Sequence, residues 1–317
     1  MKKLVAIIVG GTGQFGLTIA NQLLKKNYKV IITSRTPQKK KFIKKNSSLS
    51  IYKLDIYNKL QISKLLDEFA PNLIFYFAGQ SSPSKSFLMP RETLRSNFLG
   101  CKNFIEIIYK KKIDCKFLNA ASCEMFGEIK GKIKILSKKL PVSPYGKAKL
   151  KSYELVQKYR TEKKLKAYNA IIFNTESFLR NKSFLIPKIC MAAISANKKN
   201  QKTQFGNLNI SREWNWCDEQ STMMLKFLKK KPQDFILSNG KNYSAIQMVG
   251  FAFEYFKLDF NNYIVKSEKF LRKKDIKNKF SDYNSCLIRN KISRNDLVYG
   301  KKIIIKLIKY YLNESKS

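Results

Sequence analysis

The chain has 317 residues, enough for one large α/β domain with a smaller partner, and its 63 Lys and Arg against 22 Asp and Glu give a formal net charge of +41. Its six cysteines, at 101, 115, 123, 190, 217 and 286, form no Cys-x-x-Cys pair, and it has no histidine. That combination excludes Ser-His-Asp and Cys-His mechanisms, argues against metal sites and disulfide scaffolds, and predicts a reducing, cytoplasmic setting.

The positive charge is mostly lysine, scattered through every segment in tracts such as 39–41 and 229–231. It reads as a solvated surface rather than a nucleic-acid face, although it would attract an anionic nucleotide. The first nine residues place two lysines before an apolar run, but the run is short and meets glycines at once, which suits a buried strand better than a secretory segment. No later stretch is long and apolar enough to predict a membrane span.

Leu4 to Val9 has the continuous apolar character of a central parallel strand, and Gln14 to Lys26 shows helical spacing through Phe15, Ile19, Leu23 and Leu24. Gly10, Gly13 and Gly16 lie at the turn between them. Lacking side chains, they permit a tight turn and let a pyrophosphate approach the amides at the helix start, where Gln14 and Phe15 follow. A second strand, Tyr28 to Thr33, leads to Arg35, where a dinucleotide fold selective for NAD usually places an acid; an arginine there suits the 2′-phosphate of NADP.

A third strand ends before Asp55 and Ile56, and a fourth, Asn72 to Phe77, leads to Ala78, Gly79, Gln80 and Ser81, a small-residue loop able to pass beside a nicotinamide. Arg91 to Lys111 reads as one long helix and Cys115 to Ala120 as a fifth strand. This alternation predicts a doubly wound parallel Rossmann sheet with a smaller α/β substrate-binding domain. The expected division is 1–173 plus 214–240 for the cofactor and 174–213 plus 241–317 for the substrate.

Chemistry-bearing residues follow the fifth strand. Ser122 and Glu124 stand where it gives out, and Pro144-Tyr145-Gly-Lys-Ala-Lys149 places a phenol and an ammonium one helical turn apart. A nearby ammonium favours phenolate over a phenol whose pKa is about 10 in isolation, so Tyr145 can act as a general base. Ser122 can hydrogen-bond the oxygen that loses its proton, and Glu124 adds a carboxylate that simple alcohol oxidation does not need.

With the glycine-rich first turn, these segments resemble the active site of the extended short-chain dehydrogenase/reductase superfamily. Asn174 to Arg180 and Phe205 to Trp214 resemble two signature stretches of its GDP-mannose 4,6-dehydratase family, and the similarity continues to Asp234–Gly240. The resemblance implies oxidation at C4 of a GDP-hexose, removal of the C5 proton by Glu124, loss of water from C6 and return of hydride. It also implies Asp55 and Ile56 at the adenine and Arg180 at the cofactor. Ser86, Asn174, Lys188, Asn207 and Arg212 fall at the nucleotide sugar, with Arg272 as a further diphosphate contact.

The family forms homo-oligomers, dimers or tetramers. Here the chain departs from its pattern at Thr175 (His in the family), Phe178-Leu179 (Pro-Arg) and Trp216 (His), and in the loop after Arg35, which puts tetramer formation in doubt. The same fold also serves sugar-nucleotide epimerases, reductases and decarboxylases, and a non-catalytic descendant that binds NADP or nucleic acid is a further alternative.

Overall fold

The computed structural model describes residues 3–36, 46–268, 276–293 and 297–314. Seven strands form one wholly parallel sheet: β1 (Val5–Val9), β2 (Lys29–Ser34), β3 (Leu49–Lys53), β4 (Leu73–Tyr76), β5 (Lys116–Ser122), β6 (Ala167–Ile172) and β7 (Asp234–Leu237). Their order is β7-β6-β5-β4-β1-β2-β3. The order reverses between β1 and β4, and in open α/β sheets ligands bind at the carboxyl ends of the strands flanking such a reversal.

Alternation along β1 divides the first core. Val5, Ile7 and Val9 join a cluster with residues of α2 (Lys59–Phe69), α5 (Gly100–Lys110) and α6 (Pro144–Thr161), while Ala6 and Ile8 turn to the opposite face. Helix α1 (Gln14–Leu24) buries Leu17, Ile19, Ala20 and Leu23. Strand-helix alternation thus appears as the apolar spacing predicts, with element ends displaced by one or two residues.

The helix expected over 91–111 is not continuous. After a short α3 (Pro83–Leu88), α4 covers only Pro90–Leu94, and Arg95–Leu99 form a π-helical turn before α5. Three side chains explain the loosening, because each bonds a carbonyl of the turn behind it: Thr93 Oγ1 donates to Met89, Ser96 Oγ to Glu92 and Asn97 Nδ2 to Thr93. Tyr76 adds a cross-link from the sheet, its hydroxyl donating to the Ser96 carbonyl at 2.8 Å.

The chain divides into two compact units, the first holding 1–127, 135–172 and 220–237 and the second the remainder. The expected return to the cofactor unit at Trp214 begins instead at Gln220 and stops at Leu237. Local bonding accounts for the difference, since Asn215 and Trp216 pair in parallel with Thr175 and Glu176, and Glu213 accepts from the Gly240 amide, all within the second unit. That unit packs α7 (Leu185–Lys199), α9 (Ala245–Glu254) and α11 (Lys301–Glu314) around its own core with Trp214 and Trp216. Between them in sequence lie α8 (Cys217–Phe227), shared between the units, and α10 (Tyr283–Arg289). Among the described residues no helix is long and apolar enough to cross a membrane.

Gly100 measures how tightly the π turn is held, because a Cβ there would overlap the buried Tyr76 hydroxyl. An alanine ordinarily favours a helix by about 0.5–1 kcal/mol over glycine, whereas overpacking costs about 1–3 kcal/mol. Gly100→Ala is therefore expected to destabilise the protein in urea unfolding despite its better helix propensity.

Candidate active site

Ser122 ends β5 and caps the single 3-10 turn Cys123–Met125, its Oγ accepting from the Glu124 amide at 3.2 Å. Glu124 is half-buried. The chain then turns at Gly127, whose φ of +67° and contact with the Leu140 carbonyl leave no room for a side chain. Helix α6 starts with Ser143 as its cap, Oγ accepting from the Gly146 amide at 3.0 Å, and Pro144 in its first turn.

Gly146 joins the two segments. A Cβ on it would lie 2.5 Å from the Glu124 carbonyl oxygen, so only glycine lets α6 abut the Ser122–Glu124 turn this closely. One turn along, Lys149 is buried beside Tyr145, its Nζ 5.8 Å from the tyrosine ring centroid and donating to the Ala120 carbonyl at 2.8 Å. Burial pushes the Lys149 ammonium down to about 8, opposed by the neighbouring Cys101 thiol. Burial also raises that thiol, to about 12, so it is neutral. All four predicted catalytic residues therefore lie in the first unit, on adjoining segments.

The glycine-rich turn has the features a dinucleotide phosphate requires. Gly10, with φ +74°, lies so close to the loop after β4 that a Cβ would be 2.6 Å from Ala78 Cα, and Gly16 is pressed against Gly11. Gly13 differs, since a Cβ there would meet only the Gly10 carbonyl, at 3.7 Å. It caps α1 without a side-chain bond, leaving the helix start backed by bare backbone. Gln14 opens the helix, and Phe15 stacks on Phe77 with ring centroids 5.7 Å apart.

The Ala78–Ser81 loop is held firmly. Gln80 Nε2 donates to the Ser82 carbonyl and its Oε1 accepts from the Ser82 amide, both at 2.6 Å, while Asn97 Nδ2 donates to the Gln80 carbonyl at 3.0 Å. Asn97 is a residue that sequence reasoning missed. It comes from the π turn, and its buried Oδ1, which has no hydrogen-bond partner, faces Gly79, where a Cβ would come within 2.5 Å of it.

Arg35 is largely exposed, its Nη1 3.7 Å from Glu92 Oε1. Asp55 is exposed and accepts from the Tyr57 amide, but the Ile56 side chain belongs to the first core. Ser86 is fully buried, and its hydroxyl donates to the Pro83 carbonyl at 2.5 Å.

Within the second unit, the Asn174 carbonyl accepts from the amide and side chain of Asn215, and Asn207 Oδ1 accepts from the Asn209 amide in a local turn. Lys188 Nζ donates to the Gln204 carbonyl at 2.6 Å and sits over the Phe205 ring, with burial lowering its pKa. Arg212 is buried, Nη1 donating to the carbonyls of Ser211 and Lys277. Arg180 stacks on Phe184 with its Nε 3.7 Å from Glu176, whose carboxyl burial raises to about 7. Arg272 lies outside the described residues.

A family model for GDP-mannose 4,6 dehydratase matches residues 7–303. The chain belongs to the GDP-mannose 4,6-dehydratase family. GDP-mannose 4,6 dehydratase 2 of Caenorhabditis elegans is 30% identical over 269 residues, spanning 78% of this chain and 70% of that protein. The GDP-mannose 4,6-dehydratase of Vibrio cholerae is 28% identical over 264 residues, spanning 78% and 71%. Among solved structures, dTDP-glucose 4,6-dehydratase of Streptomyces venezuelae, with NAD bound, superposes with a TM-score of 0.87 at 16% identity, covering 99% of this chain and 98% of that one. At that identity the likeness shows the shared fold.

Two departures from the GDP-mannose 4,6-dehydratase pattern meet in the second unit. Phe178 and Trp216 pack edge to face at 4.9 Å, and Phe178 also stacks on Tyr310 of α11 at 4.6 Å. Thr175 is buried and donates to the Phe173 carbonyl at 2.9 Å.

Lys149 pKa falls from 10.5 to about 8 on folding. The folded state therefore prefers the neutral amine: the stabilising contribution lies above 10.5 and is lost as pH falls through about 8. At neutral pH burying the ammonium costs roughly 3 kcal/mol by that difference. Lys149→Met is expected to raise stability at pH 7 by about 1–3 kcal/mol, with the gain shrinking toward pH 10 when urea unfolding is compared at the two values.

Proposed function

We propose that the protein is an NADP-dependent sugar-nucleotide 4,6-dehydratase that converts a GDP-hexose, foremost GDP-mannose, to its 4-keto-6-deoxy derivative. The carrying observation is the abutment at Gly146, which packs the turn bearing Ser122 and Glu124 against the helix start bearing Tyr145 and Lys149. Family membership supplies the substrate class, and Arg35 after β2 favours NADP over NAD. The bare helix start at Gly13 fits a dinucleotide pyrophosphate.

In this mechanism Ser122 hydrogen-bonds the C4 oxygen and Tyr145 takes its proton as general base. The Lys149 ammonium stabilises the phenolate, and its low-dielectric setting strengthens that effect. When held by the Gly10–Gly16 turn and the Ala78–Ser81 loop, a nicotinamide dinucleotide would supply reversible hydride acceptance between C4 and C6. The C4 ketone acidifies C5, whose proton Glu124 removes and gives to the departing C6 hydroxyl, so that water leaves as the C6–O bond breaks. Reduction at C6 is completed by a proton at C5, which the proton taken up by Tyr145 balances. The residues end as they began, with no net oxidation.

Purified protein with NADP and GDP-mannose is expected to yield a product lighter by one water in mass spectrometry, with UDP- and dTDP-glucose unchanged. Glu124→Gln should keep NADP affinity while dehydration falls by about a hundredfold or more, the usual scale for losing a general acid–base group. Unchanged turnover would remove Glu124 from the mechanism, and intact GDP-mannose beside tight NADP binding would refute that hexose as substrate.

A further inference from the structure

The sheet-facing stripe of α6 is unusually polar. Tyr145, Lys149, Tyr153, Gln157 and Arg160 follow one another at intervals of three or four, so they share one side of the helix. The last three converge on Asp234, the first residue of β7. Tyr153 Oη donates to Asp234 Oδ2 at 2.7 Å, Gln157 Nε2 to the same oxygen at 2.6 Å, and Arg160 Nη1 pairs with Oδ1 at 2.8 Å.

The carboxylate has a second hold, on the sheet. Asn169 Nδ2, from β6, donates to Asp234 Oδ1 at 3.0 Å and to the Tyr153 carbonyl at 3.1 Å, while Asn169 Oδ1 accepts from Asn119 Nδ2 at 2.9 Å. Asn119 immediately precedes Ala120, whose carbonyl receives the Lys149 ammonium. Asp234 thus grips the helix that carries Lys149 and, through two asparagine side chains, the strand that carries the acceptor of Lys149.

From this two-sided grip we infer that Asp234 is a positioning residue for Tyr145 and Lys149, acting through Asn169 and the Tyr153–Gln157–Arg160 stripe. The proposal rests on the catalytic roles assigned above to Tyr145 and Lys149, and it extends them to a residue on a different strand. A carboxylate accepting several donors in a buried setting holds its partners to one geometry, because each would otherwise lose its bond in a low-dielectric interior. Asp234→Asn keeps the shape but replaces one carboxylate oxygen with an NH2 that must itself donate, so two of the four donors, either Tyr153 and Gln157 or Arg160 and Asn169, lose their acceptor. The helix then rides more loosely on β5, and water reaches the Lys149 amine.

Nitrogen-15 NMR of labelled lysine in the full-length protein reads this without substrate. The Lys149 midpoint is expected to rise in Asp234→Asn by about one pH unit toward the ordinary lysine value, as desolvation is relieved. In steady-state assays kcat should fall on the order of tenfold or more with KM changed less than about twofold, since misplacement acts on the transition state. The acidic limb of the kcat profile should move to higher pH as water screens the Lys149 ammonium from the Tyr145 phenolate.

Should Asp234→Asn fail to fold by circular dichroism, Tyr153→Phe, which deletes one hydroxyl, carries the same test with a smaller effect. A folded variant with a lowered Tm but an unmoved Lys149 midpoint and unmoved pH limb would make Asp234 a stabiliser only and overturn the inference. If the wild-type protein dehydrates no sugar nucleotide, the proposed function fails by itself, and the Lys149 midpoint still decides for or against the grip.

Discussion

A lysine ammonium buried against a strand carbonyl makes strict demands on whatever surrounds it. Lys149 must be brought within 2.8 Å of Ala120, which requires α6 to lie close to the sheet. Small residues at Gly146, Ala148 and Ser152, buried beside Tyr145, Lys149, Tyr153 and Val156, let the helix approach. Ser152 turns its hydroxyl back to the Lys149 carbonyl at 2.9 Å, so even this polar side chain takes up little space. The same closeness places the Glu124 carbonyl against Gly146. The positions of Tyr145, Lys149 and Glu124 therefore follow from one packing constraint.

The energetic consequence is an asymmetric first unit. Around β1 and β4 the interior is apolar, with Ile7, Ile8, Ile74 and Phe75 fully buried, and the hydrophobic effect provides stability without specifying a unique helix rotation. Beside β5, β6 and β7 the interior includes Asn119, Asn169 and Asp234. Buried polar groups of this kind contribute little net stability but penalise every arrangement that leaves a donor unmet. An apolar region thus supplies binding energy between layers while a polar region supplies registration, and α6 sits on the polar region.

Much of this was legible from one sequence because some signals are purely local. The Gly10, Gly13 and Gly16 spacing, the apolar run before it and the four-residue step from Tyr145 to Lys149 each depend on neighbours in the chain, and the sheet emerged where they implied, with Ser122, Glu124, Tyr145 and Lys149 on adjoining segments. Features resting on distant partners were opaque. Nothing in the run from Arg91 to Lys111 announces that Ser96 and Asn97 would bond backward and open a π turn, since the partner hydroxyl of Tyr76 lies some twenty positions upstream. Nothing local to Asp234 announces that three residues of α6 converge on it. Ile56 likewise gives no local sign that its side chain joins the first core.

The departures from the family pattern obey the same logic of paired change. Phe178 and Trp216 are far apart in sequence, yet their rings meet, and Phe178 continues the contact onto Tyr310. An aromatic placed at only one of these positions would lack the partner face that makes such a ring favourable, about 0.5–1.5 kcal/mol beyond simple burial for each pair. Lys306 lies over the Trp216 ring at 5.3 Å, adding a cation to the same cluster from α11. Phe178 and Trp216, where the family pattern has Pro and His, thus act as one physical alteration, an aromatic contact that reaches α11. It leaves Ser122, Glu124, Tyr145 and Lys149 untouched, because all four belong to the other unit and draw their geometry from β5 and α6.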